Sequence, residues 1–309
     1  MSTPADIPGQ DVPHANPAVP LRATRPLHWS IRRELWESRS VYIAPLVVAA
    51  VVLVAFMIST YDLPAAMRTV SRLDPVQRGG VVMRSFDMVG LTLFVTGTLV
   101  GAFYCLDALY GERRDRSILF WKSLPVSDVT AVAAKASIPL VVMPILVFGL
   151  VVAVQAMMLL WSALVLALNG MSVAFLWSRL PFLQNAATLL YALVVIALWH
   201  APLYAWLLLV SAWARRAPLM WALLPPLALA AVERIAFGTS HFGGLLKYRL
   251  VDGIGTAFVV QRAVDAQAGM LPQLTPLRFL ANPGLWLGLV VAVAFLAAAA
   301  RLRRYAEPI

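Results

Sequence analysis

The chain has 309 residues, of which 61% are hydrophobic and only 13% are charged, and its formal net charge is +10. A soluble domain carries about 25% charged and about 45–50% apolar residues, and a soluble fold of this size cannot bury so much apolar surface. The composition excludes an ordinary soluble protein and predicts an all-α protein that crosses a membrane several times.

The N-terminal part divides into a tail and a helix. Residues 1–26 are rich in proline and small polar residues, and they lack the apolar run of a cleavable signal peptide, so we expect a disordered cytosolic tail. In residues 27–39, tryptophans alternate with arginines, a pattern typical of a helix that lies in the membrane interface. The remainder, 27–309, is predicted to be one transmembrane domain.

Six apolar runs are long enough to cross a bilayer, which takes about 20 helical residues. They cover 41–59, 88–108, 138–161, 186–213, 219–237 and 285–300. The third run could extend beyond residue 161. The apolar stretch 162–180 could be a short seventh span, but we interpret it as an extracytoplasmic loop with a partial helix, because Asn169-Gly170 interrupts it. Glycines break the segment 238–283 into short runs that suit short helices packed on the bundle. Asn282 is then a good N-cap for the last span, with Pro283 at its first position.

The distribution of cations predicts the orientation of these spans. Fifteen Lys and Arg residues lie in the segments on the N-terminal side and nine on the other side, with Arg234 inside the fifth run. Cytoplasmic loops carry the excess of positive charge. We therefore expect a multi-pass protein of the bacterial inner membrane with both termini in the cytoplasm. This explanation of the basic charge also predicts lipid contacts and no nucleic-acid partner.

The segment between the second and third spans, residues 111–128, is the most informative. Its first part is predicted to form a short amphipathic helix, in which three apolar residues share one face: Ile118, Trp121 and Leu124. Pro125 ends that helix, and Ser127 or Asp128 can cap the next one. A rigid helix across the cytoplasmic face, connected to two spans, can transmit force from a docked partner.

This segment resembles a motif of the permease subunits of ATP-binding-cassette exporters, the ABC type-2 permease family. That family often has E-R-x-x-G-T, apolar residues, S-x-P-V-S and then a lysine. The matching residues are Glu112, Arg113, Ser117 (in place of Thr), Ser123, Pro125, Val126, Ser127 and Lys135. The chain departs at Arg116, where the family often has glycine, and this departure bears on the local backbone turn.

The resemblance implies a transport role for the chain. In the family, two permeases pair, as a homodimer or with a sister permease, and each docks a separate P-loop ATPase that holds ATP and Mg. The segment that matches residues 111–124 is the coupling helix that enters the ATPase. The docking residues it implies are Glu112, Arg113, Ser117, Ile118, Trp121, Ser123 and Pro125. The second and fifth spans of the family tend to line the path at the dimer axis.

Several charged and small residues leave two interpretations open. Glu112 could pair with a basic group of the partner or with Arg116 one helical turn away.

Two features within the spans are also ambiguous. Gly97-x-x-x-Gly101, with Thr92 and Thr96, could serve packing within the chain or a dimer or pore-lining face. Intramembrane charges are often functional, so Glu233 and Arg234 could belong to a translocation path. Alternatively, Arg234 reaches the interface and Glu233 pairs locally.

The chain lacks the sequence signatures of catalysis. It has no GxxxxGK[ST], HExxH or GxSxG motif, and its single cysteine and scattered histidines have no metal-ligand spacing. We therefore predict that it is not an enzyme and binds no cofactor itself. Two alternatives stay open. A secondary transporter coupled to ions or protons needs buried acids, of which Glu233 comes nearest, and an intramembrane enzyme would use Glu233, His241 and Asp252.

Overall fold

The structure, a computed structural model, describes residues 26–62, 75–123, 126–170, 182–250, 258–259 and 273–307. These residues are almost wholly helical, apart from one antiparallel pair of two-residue strands, β1 (Phe258–Val259) and β2 (Gln273–Leu274). A 3₁₀ turn at Thr60–Asp62 and a π-helical turn at Ile138–Val142 supplement the α-helices. The helices are α1 (Pro26–Glu37), α2 (Ser40–Ser59), α3 (Pro75–Ala108), α4 (Tyr110–Arg114), α5 (Ile118–Lys122), α6 (Asp128–Ser137), α7 (Met143–Leu168), α8 (Phe182–Trp213), α9 (Pro218–Phe237), α10 (His241–Leu250), α11 (Pro276–Leu280) and α12 (Pro283–Tyr305).

Six helical segments of the described chain are long and apolar enough to span a membrane, which confirms the predicted all-α, multi-pass architecture. They are Ser40–Ser59, Phe86–Arg114, Asp128–Leu168, Gln184–Trp213, Pro218–Phe237 and Pro283–Tyr305. The predicted interfacial helix is α1, which ends two residues earlier than expected. The predicted tail, 1–26, lies outside the described residues except for Pro26.

The third span is much longer than the sequence predicts. It runs over 41 residues, which correspond to about 60 Å of helix, twice the apolar thickness of a bilayer. The first turns of the stretch 162–180 continue α7, so the partial helix expected there belongs to the third span and extends it beyond residue 161. Asn169 and Gly170 do end the helix, and Gly170 has φ +67°. Glycine adopts this left-handed conformation without the steric cost of a Cβ.

A π-helical turn interrupts the third span near its start. Pro139 is the second residue of this turn, Ile138–Val142, which joins α6 to α7. Proline cannot donate the regular helical hydrogen bond, so the helix widens locally instead of breaking. Gly101 of α3 faces this turn, because a Cβ at that glycine would lie 3.4 Å from Cβ of Pro139.

Both described termini lie at the same end of the bundle. Nζ of Lys122 in α5 donates to the carbonyl oxygens of Arg304 and Ala306 beside the end of α12. Arg113 of α4 reaches the end of α8, where it donates to the carbonyl oxygen of Ser211. We call this region, which holds α1, α4, α5 and the C-terminal turn of α12, the charged end.

The opposite end of the bundle is built from short helices. α9 stops at Gly238, which has φ +65°, and α10 then folds back against the middle of α8. Trp199 Nε1 donates to the carbonyl oxygen of Arg249 at 3.0 Å. The side chain of Asn282 accepts from the amide of Gly284 and so caps α12, as predicted. α10 and α11 are the short packed helices that the glycine-broken segment predicts.

α8 and α9 have opposite environments. α8 packs on α3, α7 and α12, and most residues in its second half are buried, including Trp199 and Leu208. α9 contacts little of the bundle, and Ala222 is its one buried residue. Most of the α9 surface is therefore left for lipid or for another protein chain.

Candidate functional site: a buried ion-pair cluster beside the candidate docking helix

A cluster of six ionised side chains, four of them buried, occupies the charged end. It joins α1, α4, α6 and α12, and we call it the ion-pair cluster. Its members are Arg33, Glu34, Glu112, Asp128, Lys135 and Arg303. The three cations and three carboxylates balance to zero formal charge, which is the arrangement that makes burial of charges tolerable.

Glu34 of α1 is saturated with donors. Nζ of Lys135 lies 3.0 Å from both of its carboxylate oxygens, and Tyr104 donates its hydroxyl to Oε2 at 2.9 Å. Arg33 adds a contact of 2.5 Å to Oε1. Burial by itself would raise the pKa of Glu34, but attraction to Lys135 and then to Arg33 outweighs it and holds the pKa below its ordinary value.

Glu112 of α4 continues the same network. Its Oε1 lies 3.1 Å from Nζ of Lys135, a contact that is close enough for coulombic attraction although its direction is not that of a hydrogen bond. Its Oε2 accepts from Nη2 of Arg303 at 3.2 Å, and Arg303 also contacts Asp128 at 2.5 Å. Arg116, the predicted intrachain partner, is not the group that Glu112 contacts. Lys135, only 2% exposed, lies between the carboxylates of α1 and α4.

Arg113 fastens α4 to the end of α8. Its buried guanidinium donates to the carbonyl oxygen of Ser211 in the last turn of α8, which has no helical donor of its own, and to that of Ala214 directly after the helix. Ser211 Oγ in turn accepts from the amides of Leu109 and Tyr110 at 3.0 and 2.9 Å. The predicted docking residues Glu112 and Arg113 therefore point into the chain.

The predicted single helix over residues 111–124 is two helical turns. α4 ends at Arg114 and α5 begins at Ile118, and between them Arg116 has φ +58°. This is the left-handed conformation that favours glycine. The side chains of Ser117 and Ser123 donate to the carbonyl oxygens of Glu112 and Phe120 within this segment. Leu124 and Pro125 lie outside the described residues.

α5 packs one face inward and leaves the other open. Ile118 is buried, and Trp121 lies beneath the guanidinium of Arg33, whose Cζ is 3.9 Å from the ring centroid. This is a cation–π distance. Leu119 and Phe120 are 61% and 59% exposed. The apolar surface that α5 offers to a partner is therefore formed by these two residues, which the sequence analysis missed.

A cleft of about 770 Å³ opens beside this segment at the charged end. It lies between α4, the end of α8, the start of α9 and the end of α12, and Trp213, Trp221 and Tyr305 are among its walls. The cleft and the exposed face of α5 belong to the same end of the molecule.

The predicted residues of the second span do not form one surface. A Cβ at Gly97 would lie 2.6 Å from Cγ2 of Val147 in α7, so this glycine permits close packing within the chain, as does Gly101 against the π-helical turn. Thr92 faces outward, and Thr92 and Thr96 donate to main-chain carbonyls one helical turn earlier. Such bonds satisfy the hydroxyls inside lipid.

Glu233 caps α10. Its carboxylate accepts from the hydroxyl of Thr239 and from the amides of His241 and Phe242, at 2.6 to 2.9 Å. The two amides belong to the first turn of α10, where backbone N–H groups have no partner within the helix. Arg234 is exposed on α9. Asp252, the third member of the alternative catalytic set, lies outside the described residues. Within the described residues, no three His, Cys, Asp or Glu side chains converge as a metal site.

One feature of the sequence indicates that the fold contains a buried ion pair. Lys135 lies in an apolar stretch and has no acid three or four positions away. A lysine in such surroundings needs a partner from elsewhere in the fold, because an unpaired buried charge is very costly.

Comparisons with known proteins give no match: no family model, curated protein or solved structure corresponds significantly to this chain.

Proposed function

We propose that this chain is the membrane-spanning permease subunit of an ATP-binding-cassette exporter in a bacterial inner membrane, with the charged end in the cytoplasm. A separate P-loop ATPase would dock at that end and hold ATP and Mg, and two permeases would pair as a homodimer or with a sister chain. The chain itself would carry no catalytic residues.

One observation carries this proposal. The α4–α5 segment presents an exposed apolar face, Leu119 and Phe120, while its inner face is fastened to the rest of the bundle. Lys135 links Glu112 to α1, Arg303 links Glu112 to α12, and Arg113 holds the end of α8. Lys135 itself belongs to α6. A displacement of this segment therefore acts on α1, α6, α8 and α12 at once, since buried ion pairs resist separation.

Two further observations support the proposal. Arg116, at the position where the family motif often has glycine, adopts the left-handed backbone conformation that glycine favours. The exposed surface of α9 leaves room for a second permease chain. The alternative of a secondary transporter finds little support, since the buried acids among the described residues, Glu34 and Glu112, both belong to the ion-pair cluster.

Coupling would follow from this geometry. Closure of two ATPases would push on α5 at Leu119 and Phe120. The push would pass through Trp121 and Arg33 to α1, which leads into the first span, and through Lys135 to α6, which leads into the third. The bundle would then alternate its access between the two sides of the membrane.

The test is mild-detergent purification of the tagged protein from native membranes, with mass spectrometry of the proteins that accompany it. The docking variant is Leu119→Ala/Phe120→Ala. Its matched control is Phe237→Ala/Leu277→Ala, which removes an even more exposed Phe and Leu at the opposite end. Substitutions at exposed positions change stability little.

We expect a P-loop ATPase with the wild type and the control, and its loss with the docking variant. An ATPase that stays with the docking variant would place the docking surface elsewhere. If none of three monodisperse preparations contains an ATPase, the permease proposal is wrong.

A further inference from the structure

An apolar cleft of about 530 Å³ lies between α8, α9, α10 and α12. Its walls include Trp206 of α8, Leu229 of α9, Leu246 of α10 and Phe295 of α12. The one charged residue of its wall is Arg249, at the C-terminal end of α10. The cleft is separate from the ion-pair cluster and from the cleft at the charged end.

The dimensions of this cleft suit a lipid chain. Along α12 its wall is formed by Gly284, Gly288, Val291 and Phe295, whose spacing of three or four places them on one helix face. The eleven helical steps from Gly284 to Phe295 rise by about 16 Å. One leaflet of the hydrocarbon core, half of about 30 Å, has the same thickness.

Arg249 lacks a counter-charge. It is only 9% exposed, its Nη1 donates to the carbonyl oxygen of Gly284 at 3.0 Å, and its Cζ lies 4.4 Å from the ring centroid of Trp199. Its Nη2 is buried without a hydrogen-bond partner, and no ion pair links it to an acid in the described part of the chain. A Cβ at Gly288 would collide with this guanidinium. Glycine therefore leaves Arg249 room at the end of the cleft.

Arg249 has aromatic neighbours. It lies beside the first turn of α12, opposite the charged end, where the exposed Trp286 and the ring of Tyr248 are found. Aromatic side chains of this kind are enriched where the bilayer meets water. In such surroundings Nη2 of Arg249, which has no hydrogen-bond partner, can donate a charge-assisted hydrogen bond to a phosphate.

We propose that this cleft binds one anionic phospholipid from the leaflet opposite the charged end, with its phosphate at Arg249 and an acyl chain along α12. The bound anion would supply the counter-charge that the described chain does not. A transmembrane helix from a second copy would fill the apolar part but leave the guanidinium uncompensated, which favours the lipid. This inference does not depend on the proposed transport function.

The test uses the full-length protein reconstituted in nanodiscs of equimolar phosphatidylglycerol and phosphatidylethanolamine, followed by native mass spectrometry of the lipid retained after release. We expect one retained phospholipid, with phosphatidylglycerol enriched about tenfold, because its net negative charge compensates the guanidinium, whereas the ammonium of phosphatidylethanolamine cancels the charge of the same phosphate. Arg249→Gln should abolish the enrichment. Arg278→Gln, which removes an exposed arginine at the same end, should preserve it.

A second variant keeps the proposal testable if Arg249→Gln does not fold. Val291→Trp fills the cleft and leaves the guanidinium in place, so it should lose the retained lipid. Val290→Trp, on the exposed neighbouring position, should not. Equal retention of the two lipids by the wild type would overturn the proposal, and so would lipid retention that Val291→Trp leaves unchanged. A second protein chain in place of lipid would assign the cleft to self-association.

Discussion

Substitution of Lys135 by Met tests whether the ion-pair cluster holds α1 and α4 together. The ammonium lies 3.0 Å from Glu34 and 3.1 Å from Glu112 and is almost completely buried. Methionine keeps a similar length but turns the formal charge of the cluster from zero to −1. Removal of one partner of a buried pair costs about 3–5 kcal/mol, because the remaining charge stays buried without compensation.

The double variant Lys135→Met/Glu34→Gln separates this cost from a loss of packing. It restores zero charge in the cluster, so we expect it to be more stable than the sum of the two single variants predicts, by about 2 kcal/mol or more. Lys122→Met is the control, since that exposed lysine contacts only main-chain carbonyls and such surface contacts contribute about 1 kcal/mol or less.

The assay is thermal unfolding in one detergent, monitored for the four variants and the wild type. The single Lys135→Met variant should lose on the order of 10 °C in apparent Tm, given about 2–4 °C per kcal/mol for larger domains. A loss of only 1–2 °C, or strictly additive effects of Lys135→Met and Glu34→Gln, would refute the reasoning, because the two charges would then not depend on each other.

Two further predictions concern backbone and packing. Arg116→Gly should raise stability by up to about 1 kcal/mol in the same assay, because it relieves a left-handed residue at φ +58°, whereas Arg114→Gly, within α4, should lower it by about 1 kcal/mol. Gly97→Ala should cost about 1–3 kcal/mol, because its Cβ would lie 2.6 Å from Val147. Gly149→Ala, with no atom within 4 Å of its Cβ, should stabilise α7. Equal effects of the two glycine substitutions would contradict the close packing of α3 on α7.

Much of this architecture follows from the sequence by itself. The number and order of the spans are local properties, since each depends only on about 20 consecutive apolar residues. The caps at Ser127 and Asn282 are local too, because each side chain binds an amide two or three residues later. The stop at Asn169-Gly170 is also local, and the partial helix expected before it continues α7.

The tertiary structure alone decided which residues of the candidate site are buried and which are exposed. Glu112 meets Arg303, 191 residues later, so no pattern within α4 reveals that this carboxylate is buried. In α5, Ile118 and Leu119 are adjacent and similar in sequence, yet one is buried and the other exposed, because the position of α1 and α12 fixes which face is covered. The physical reason is that a charge or an apolar side chain looks the same in sequence whether it lies in the core or on the surface, and only the assembled helices distinguish them.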